Sequence, residues 1–314
     1  MQNFCLGFCT VFTVLLFASA NSLAQPLKPE SPAKSVPSGV ASAVDNVTTT
    51  GNNNAGIDTL DASEHPWGAF LPGSYTKVRT TTTTFQQDNT LRNTSETKTL
   101  LHSVGNDTIK LQYVRSIELG SKRFDATPQV TEFDFYQQQV TTGQTVKNLK
   151  NAFCTIGQVK IPCSVRQYEQ NAADLKQTTT VWYSSSVYPF VLRIETVKKA
   201  LSAESETDKI MSSTVTSVTE TSALQPYRRH KQDTYTLRTV RKNGELTTTI
   251  TTACSRHVPG GMTSSVSTEN DTKGKVTSQT VASVVKYEAY QEDIEYAPIR
   301  GSRRQRWIPV TTPD

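Results

Sequence analysis

The feature that most constrains this chain is a proline-turn motif that occurs three times in its 314 residues. The copies begin at Pro72, Pro189 and Pro259, and each leads into two alternating runs that are separated by a polar turn. A unit reused in this way is typical of a β-hairpin laid beside its copies in one sheet. Because proline lacks an amide donor, each copy should start a strand that leads into an antiparallel hairpin.

The later two copies also share the segment before the proline. Residues 175–183 and 246–254 are both Thr-rich, and both should supply the strand that enters the turn. The second and third hairpins are therefore expected to match best. In this comparison Cys254 takes the place of Tyr183, an apolar strand position, which predicts a buried thiol.

Period-two alternation recurs between residues 75 and 287, and Thr dominates it, with an unbroken run at 80–84. The branched β-carbon of Thr suits an extended backbone, and its hydroxyl tolerates water. Only Leu175 with its neighbours and residues 200–211 could support a short helix. The sequence predicts a mostly β fold, a large curved antiparallel sheet or half-barrel built from repeated hairpins, as one sheet or as two packed units.

Residues 1–24 have the pattern of an export signal. An apolar run at 11–17 precedes two small-x-small sites, at 18–20 and 22–24, although no Lys or Arg comes before the run. The run is too short to span a bilayer, so the mature chain is expected to have no transmembrane segment. The alternative is a buried N-terminal segment. We expect the protein to be secreted or periplasmic, in the cell envelope.

The rest of the chain divides by composition. Residues 25–65 hold few large apolar side chains and should form a disordered leader, because they cannot bury enough surface to offset their ordering entropy. Residues 66–222 are expected to form an antiparallel β domain, and residues 223–297 a second β unit that repeats the hairpin motif. Residues 298–314 should be a basic flexible tail.

Three cysteines follow the signal: Cys154, Cys163 and Cys254. The first two flank a predicted hairpin around Gly157 and could form a disulfide in an oxidising compartment. The alternative is a pair of buried thiols on adjacent strands, since the sequence does not fix the geometry that a disulfide needs. Cys254 has no obvious partner.

The positive charge is concentrated near the C-terminus. Residues 1–222 carry 19 Lys and Arg against 19 Asp and Glu, whereas residues 223–314 carry 14 against 9. A basic tail can contact anionic surfaces such as lipid head groups or polysaccharide. The alternative is a solvated tail. The candidate contact residues are Arg300, Arg303, Arg304 and Arg306.

The sequence contains no arrangement typical of catalysis. It lacks a Gly-x-Ser-x-Gly elbow and a phosphate-binding Gly-rich loop, and His occurs at only four positions. Cys254 and His257 are three residues apart, so on a strand they would point to opposite faces. No Cys or His spacing completes a metal site. We therefore expect a protein that is not an enzyme, with no catalytic residue, metal or cofactor and no nucleic-acid partner.

The segments 157–165, 182–184 and 187–195 combine a strand that ends in Trp-Tyr with a Pro-bearing turn into the next strand. This arrangement resembles the terminal strands of bacterial exported proteins with the lipoprotein-localisation (LolA-like) half-barrel fold. The segment 67–79 is similar to the opening of secreted β-rich proteins without an assigned role. The resemblance implies a half-barrel whose concave face carries a lipid or acyl chain in some relatives. This chain differs in its repeated hairpins and its Thr-rich strands.

Two functions follow as hypotheses. The first is a non-catalytic binding protein of unknown ligand, with a lipid or other apolar ligand on a concave sheet lined by Trp67, Tyr113, Trp182 and Tyr183. These aromatic residues could instead belong to the core, where large aromatic side chains usually pack. The second is a structural or surface-associated envelope protein, in which polar hairpins associate laterally and the tail contacts an anionic envelope polymer.

Overall fold

The computed structural model describes residues 59–86, 89–119, 122–172, 175–200, 210–224 and 233–291. Within them lie two short 3-10 helices, Ala62–Glu64 and Ser222–Leu224, and fourteen strands. The strands are β1 (Tyr75–Phe85), β2 (Thr90–Val104), β3 (Thr108–Leu119), β4 (Lys122–Asp125), β5 (Gln129–Asp134), β6 (Thr145–Ile156), β7 (Val159–Ala172), β8 (Leu175–Tyr183), β9 (Val191–Ala200), β10 (Ile210–Thr221), β11 (Thr234–Asn243), β12 (Leu246–Ser255), β13 (Met262–Asn270) and β14 (Val276–Glu288). The predicted signal and basic tail lie outside the described residues.

All fourteen strands belong to one antiparallel sheet. Its order is β4-β3-β2-β1-β14-β13-β12-β11-β10-β9-β8-β7-β6, and β5 pairs with β3 beside β4. The first strand pairs with the last, from Tyr75 opposite Glu288 to Thr84 opposite Ser278. Within the described residues the two ends of the sheet do not pair, so the sheet is not a closed barrel. The predicted mostly β fold, one large antiparallel sheet of hairpins, is confirmed.

A single core cluster requires this sheet to curve. The cluster joins Leu101 on β2 and Leu111 on β3 to Val181 on β8 and Val191 on β9. Six strands separate β2 from β9 in the sheet order. On a flat sheet that separation would be about 34 Å, far beyond the reach of side chains. The sheet must therefore curl until its two halves meet.

Two segments fill the space between those halves, and together we call them the plug. The first is the N-terminal stretch 60–70, which contributes Leu60, Trp67 and Phe70 to the cluster, and the second is the turn after β5, which contributes Phe135 and Tyr136. The packed structure thus includes Leu60, at the end of the segment predicted as a leader.

Hydrogen bonds tie the N-terminal part of the plug to the sheet. The Leu71 N–H donates to the Tyr290 carbonyl at 2.7 Å, and the Gly260 N–H donates to the Pro66 carbonyl at 3.1 Å. Within the segment the Trp67 N–H donates to Nδ1 of His65 at 3.1 Å. His65 is buried, and this burial lowers its pKa to about 3. The charged form of His65 is therefore incompatible with the packed plug.

Hydroxyl groups replace apolar side chains over much of the remaining buried face. Thr82 on β1 bonds Thr280 on β14 at 3.0 Å, and Thr252 on β12 bonds Ser265 on β13 at 3.1 Å. Since a buried hydroxyl without a partner is costly, these cross-strand pairs allow a Thr-rich sheet to bury this face.

The three proline-turn motifs form turns at corresponding places, each closed by one backbone hydrogen bond. In each, an N–H bonds the carbonyl three residues earlier: Ser74 to Leu71, Phe190 to Val187 and Gly261 to Val258. Each turn leads into an antiparallel hairpin, β1–β2, β9–β10 or β13–β14. The prediction of three similar hairpins agrees with this geometry, with one shift. Pro189 lies one position later in its turn than Pro72 and Pro259 do.

The later two copies also match in their irregularities. The pairing of β8 with β9 shifts between Trp182 and Tyr183, and the pairing of β12 with β13 shifts between Ala253 and Cys254. Tyr183 and Cys254 therefore occupy equivalent positions, and both are buried. The burial of Cys254 is as predicted.

Two strands lie where the sequence allowed a short helix or did not indicate a strand. Leu175 begins strand β8 instead of a helix, because its segment pairs along its whole length with β7 and β9. Strand β6 lies at the edge of the sheet, and its first seven residues are exposed on both faces. Its sequence therefore shows no clear alternation of apolar and polar residues. Among the described residues, no helix has the length and apolar character needed to cross a bilayer.

The contact between Trp67 and the third turn should be visible in glycine substitutions. Gly260 has φ +81°, and an added Cβ would lie 2.8 Å from the Trp67 ring. Gly274 has φ +77° with no atom within 4 Å of its Cβ position. Gly274→Ala should lower the free energy of unfolding by about 1–2 kcal/mol through backbone strain alone. Gly260→Ala should lower it by about 3 kcal/mol or more, because Trp67 must also move. Urea unfolding measures both, and equal losses would contradict the contact.

Burial of His65 predicts a pH dependence. Unfolding releases a histidine with an ordinary pKa near 6.5, so below this pH the unfolded chain binds a proton that the folded chain excludes. The stability is fully present above pH 6.5 and is lost toward pH 3, by up to about 1.4 kcal/mol per pH unit. His65→Asn keeps an acceptor for the Trp67 N–H and should flatten this slope in urea titrations. The same substitution at exposed His257 should leave the slope of stability against pH unchanged. A slope for His65→Asn equal to that of the wild type would refute the assignment.

Candidate functional site

A narrow cleft of about 10 Å³, room for a single water molecule, lies where two core clusters fail to merge. Val191 and Ile194 belong to the first cluster, which contains the plug, whereas Leu192 and Leu237 belong to a second cluster. The apolar lining of the cleft consists of Pro189, Val191, Leu192, Ile194, Tyr235 and Leu237. Gln137, Thr216 and Arg193 complete it. The two clusters are therefore close-packed almost up to their boundary.

Both sides of the cleft carry left-handed backbone. Gln137 has φ +65° and Phe190 has φ +71°, and they are the non-glycine residues with positive φ among the described residues. Gln137 lines the cleft, and Phe190 lies between Pro189 and Val191, which also line it. Side chains other than glycine avoid this conformation, so the surrounding structure must impose it.

A buried carboxylate holds the turn that carries Gln137. Oδ2 of Asp134 accepts the Tyr168 hydroxyl at 2.5 Å, and Oδ1 accepts the N–H groups of Tyr136 at 3.0 Å and Gln138 at 2.8 Å. Burial raises the pKa of Asp134, while these hydrogen bonds oppose that rise. A carboxylate with three donors fixes the backbone on both sides of Gln137.

Cationic side chains stack on aromatic rings beside this turn and beside the cleft. The Arg166 guanidinium lies 4.4 Å from the Tyr136 ring centroid and 5.6 Å from that of Tyr168. The Arg193 guanidinium lies 5.1 Å from the Trp182 ring centroid. These contacts hold two arginines against the core without a fully buried ion pair.

The four aromatic residues predicted to line a ligand site pack in the two clusters. Trp67 and Tyr183 belong to the first cluster, and Tyr113 packs against it. The Tyr183 ring meets the Tyr136 ring edge-on, with centroids 4.7 Å apart. Trp182 packs against the second cluster. The lining of the cleft comes from other residues, and the role of these four in ligand binding stays a prediction.

The three cysteines lie together in the second cluster as buried thiols. Cys154 and Cys163 are on the paired strands β6 and β7 and share a side-chain hydrogen bond, which raises the pKa of Cys154 together with burial. Their disulfide stays a prediction. Burial raises the pKa of Cys254 to about 12, whereas His257 is exposed. Cys254 is therefore a poor nucleophile at neutral pH.

Two further predictions concern the basic tail and metal binding. The tail residues Arg300, Arg303, Arg304 and Arg306 lie outside the described residues. In the described part of the chain, no three His, Cys, Asp or Glu side chains are placed to hold a metal ion. The sequence pattern indicates the Pro189 turn but not the turn at Gln137, because the alternation at 131–136 predicts a strand as far as Tyr136, whereas β5 ends at Asp134.

Comparisons with known proteins add one finding. No protein-family model matches the chain, and no curated protein matches it. A crystal structure of a Vibrio parahaemolyticus domain, described as an outer membrane lipoprotein-sorting protein domain, is similar over 72% of this chain and 88% of that chain. The identity is 10% and the TM-score is 0.28. The resemblance found in the sequence and this match name the same kind of protein, and at this TM-score we draw nothing further from it.

The hydrogen bond from Tyr168 to Asp134 can be tested by removing one hydroxyl. Tyr168→Phe leaves a buried carboxylate short of a donor and should lower the free energy of unfolding by about 2 kcal/mol at pH 7. Tyr287→Phe, at a side chain that is 47% exposed, should change it by less than about 0.5 kcal/mol. Because protonation removes the charge, the Tyr168→Phe loss should shrink as the pH falls through the pKa of Asp134. A loss that does not depend on pH would contradict this account.

Proposed function

We propose that this chain is an exported, non-catalytic binding protein that holds a small apolar ligand, such as a single alkyl or acyl chain, in the cleft between its two core clusters. The observation that carries the proposal is the position of Gln137 and Phe190, both left-handed, on the two sides of this cleft. Strained backbone of this kind is concentrated at ligand sites.

The size and the lining of the cleft limit the ligand. Ligand pockets commonly occupy about 300–1,000 Å³, so a cleft of about 10 Å³ is closed to a ligand until the two clusters move apart. A single alkyl chain needs less separation of the clusters than a whole diacyl lipid does, so we take a single chain as the ligand. The apolar wall favours a hydrocarbon group, and Gln137, Thr216 and Arg193 supply the few polar groups that usually orient a ligand.

The non-catalytic part of the proposal is supported by the groups nearest the cleft. The Asp134 carboxylate already accepts three hydrogen bonds, which leaves it poorly placed as a general base. Cys254, in the neighbouring cluster, has a pKa raised to about 12. The export-signal pattern of residues 1–24 supports a secreted or periplasmic location.

A cleft-filling variant tests the proposal. Ile194→Phe should occupy the cleft, abolish binding of a hydrophobic dye and remove any alkyl chain that co-purifies from the native host. Ile194→Phe should lower the free energy of unfolding by about 1–3 kcal/mol, because the closed cleft has little room for the larger side chain. Ile250→Phe is the matched control, since Ile250 is buried in a third cluster away from the cleft. It should cost about 1–3 kcal/mol and keep dye binding.

Native mass spectrometry and dye titration of the full chain provide the readout. Dye binding that Ile194→Phe leaves unchanged would place the ligand elsewhere. A protein that is empty from its own host and takes up no dye would overturn the proposal. Such a protein that also forms oligomers would favour the second candidate, a structural envelope protein. That candidate is supported by edge strand β6, on which Phe153 is 70% exposed.

A further inference from the structure

The face of the sheet opposite the buried hydroxyl pairs carries an open groove of about 560 Å³. It runs across β2, β1 and β14, and its lining includes Arg79, Thr81, Thr83, Arg92 and Gln279. The strand register brings these side chains together: Thr83 lies opposite Arg92 on one side and Gln279 on the other. Among the described residues, none of the side chains in this lining is acidic.

The charge at one end of the groove is fixed by a buried carboxylate. Glu96 is 5% exposed and pairs with Lys77 at 2.6 Å, Arg79 at 2.9 Å and Arg123 at 3.4 Å. The hydrogen bond from Lys77 and those from Arg79 lower the pKa of Glu96. Asp125 pairs in turn with Arg123. Three cations thus meet at the Glu96 carboxylate.

Glu96 also orients Arg79 toward a further acceptor. The Nε and Nη2 atoms of Arg79 both bond Oε1 of Glu96, at 3.1 and 2.9 Å. The guanidinium is therefore held in one position while its Nη1 group takes no part in these bonds. An arginine fixed in this way loses little side-chain entropy when it binds an anion.

Arg92 supplies a second positive charge at the other end of the groove. It is exposed and lies four positions along β2 from Glu96, so the two arginines are about 13 Å apart along the strand. A single small anion cannot contact both at once. Between them, Thr81, Thr83 and Gln279 offer hydrogen-bond donors and acceptors.

We propose that this groove binds a segment of an acidic polysaccharide, with anionic groups on Arg79 and Arg92 and sugar hydroxyls on the Thr and Gln side chains between them. The charge of the groove complements such a polymer, and its polar lining complements the hydroxyl groups. The site is separate from the apolar cleft. It also differs from the basic tail, whose arginines are present in every variant described below.

The test compares two exposed arginines on the same face of the sheet. Arg92→Gln removes a groove charge, whereas Arg238→Gln removes the same charge from β11, outside the groove. Binding of the full chain to polygalacturonate is measured by isothermal titration calorimetry, with neutral dextran as the reference polymer. Arg92→Gln should weaken binding about tenfold, the effect of losing one charged hydrogen bond, and Arg238→Gln less than about twofold. Higher salt should weaken the wild-type binding.

Four results would overturn the assignment. Equal losses in the two variants, or no binding of polygalacturonate, would mean that the groove is not a site for it. Equal affinity for neutral dextran would mean that charge plays no part. Binding to vesicles of phosphatidylcholine and phosphatidylglycerol in equal parts, lost in Arg92→Gln, would make the occupant a membrane. Urea unfolding of both variants serves as the folding control.

Discussion

The packing of the plug between the two halves of the sheet is the interaction on which the rest of the structure depends. A sheet built largely from threonine has too little apolar surface to be held by its own strands. Trp67 and Phe70 from the N-terminal stretch, with Phe133 and Tyr136 near the end of β5, provide the large aromatic surface that the strands lack. Their burial draws β2 and β3 toward β7, β8 and β9, and this contact curves the sheet.

The plug also explains why a cleft remains. The turn at Asp134 is fixed by its carboxylate, so Gln137 is held in a strained conformation against β9 and cannot relax into the gap. The first cluster therefore ends at Val191 and Ile194, and the second begins at Leu192. Because the strand pairing shifts at Tyr183, Val191 and its neighbour Leu192 belong to different clusters. The same interaction that closes the core prevents complete packing at this point.

The two faces of one strand have different chemistry. On β1, Thr76, Val78 and Thr80 are buried, whereas Arg79, Thr81 and Thr83 line the outer groove. Alternation of side chains makes this separation unavoidable. The apolar cleft and the basic groove can thus be changed independently, since no residue lines both.

The sequence by itself determined most of the strands, the three proline hairpins and the burial of Cys254, because period-two alternation and turn residues act over a few neighbouring positions. It did not reveal β6, whose exposed edge needs no alternation, or the cleft and the groove. Those depend on strand order: β1 pairs with β14, and β2 meets β9 across the plug. Such contacts join residues far apart in the chain, and only the tertiary structure decides which of many similar Thr-rich strands become neighbours.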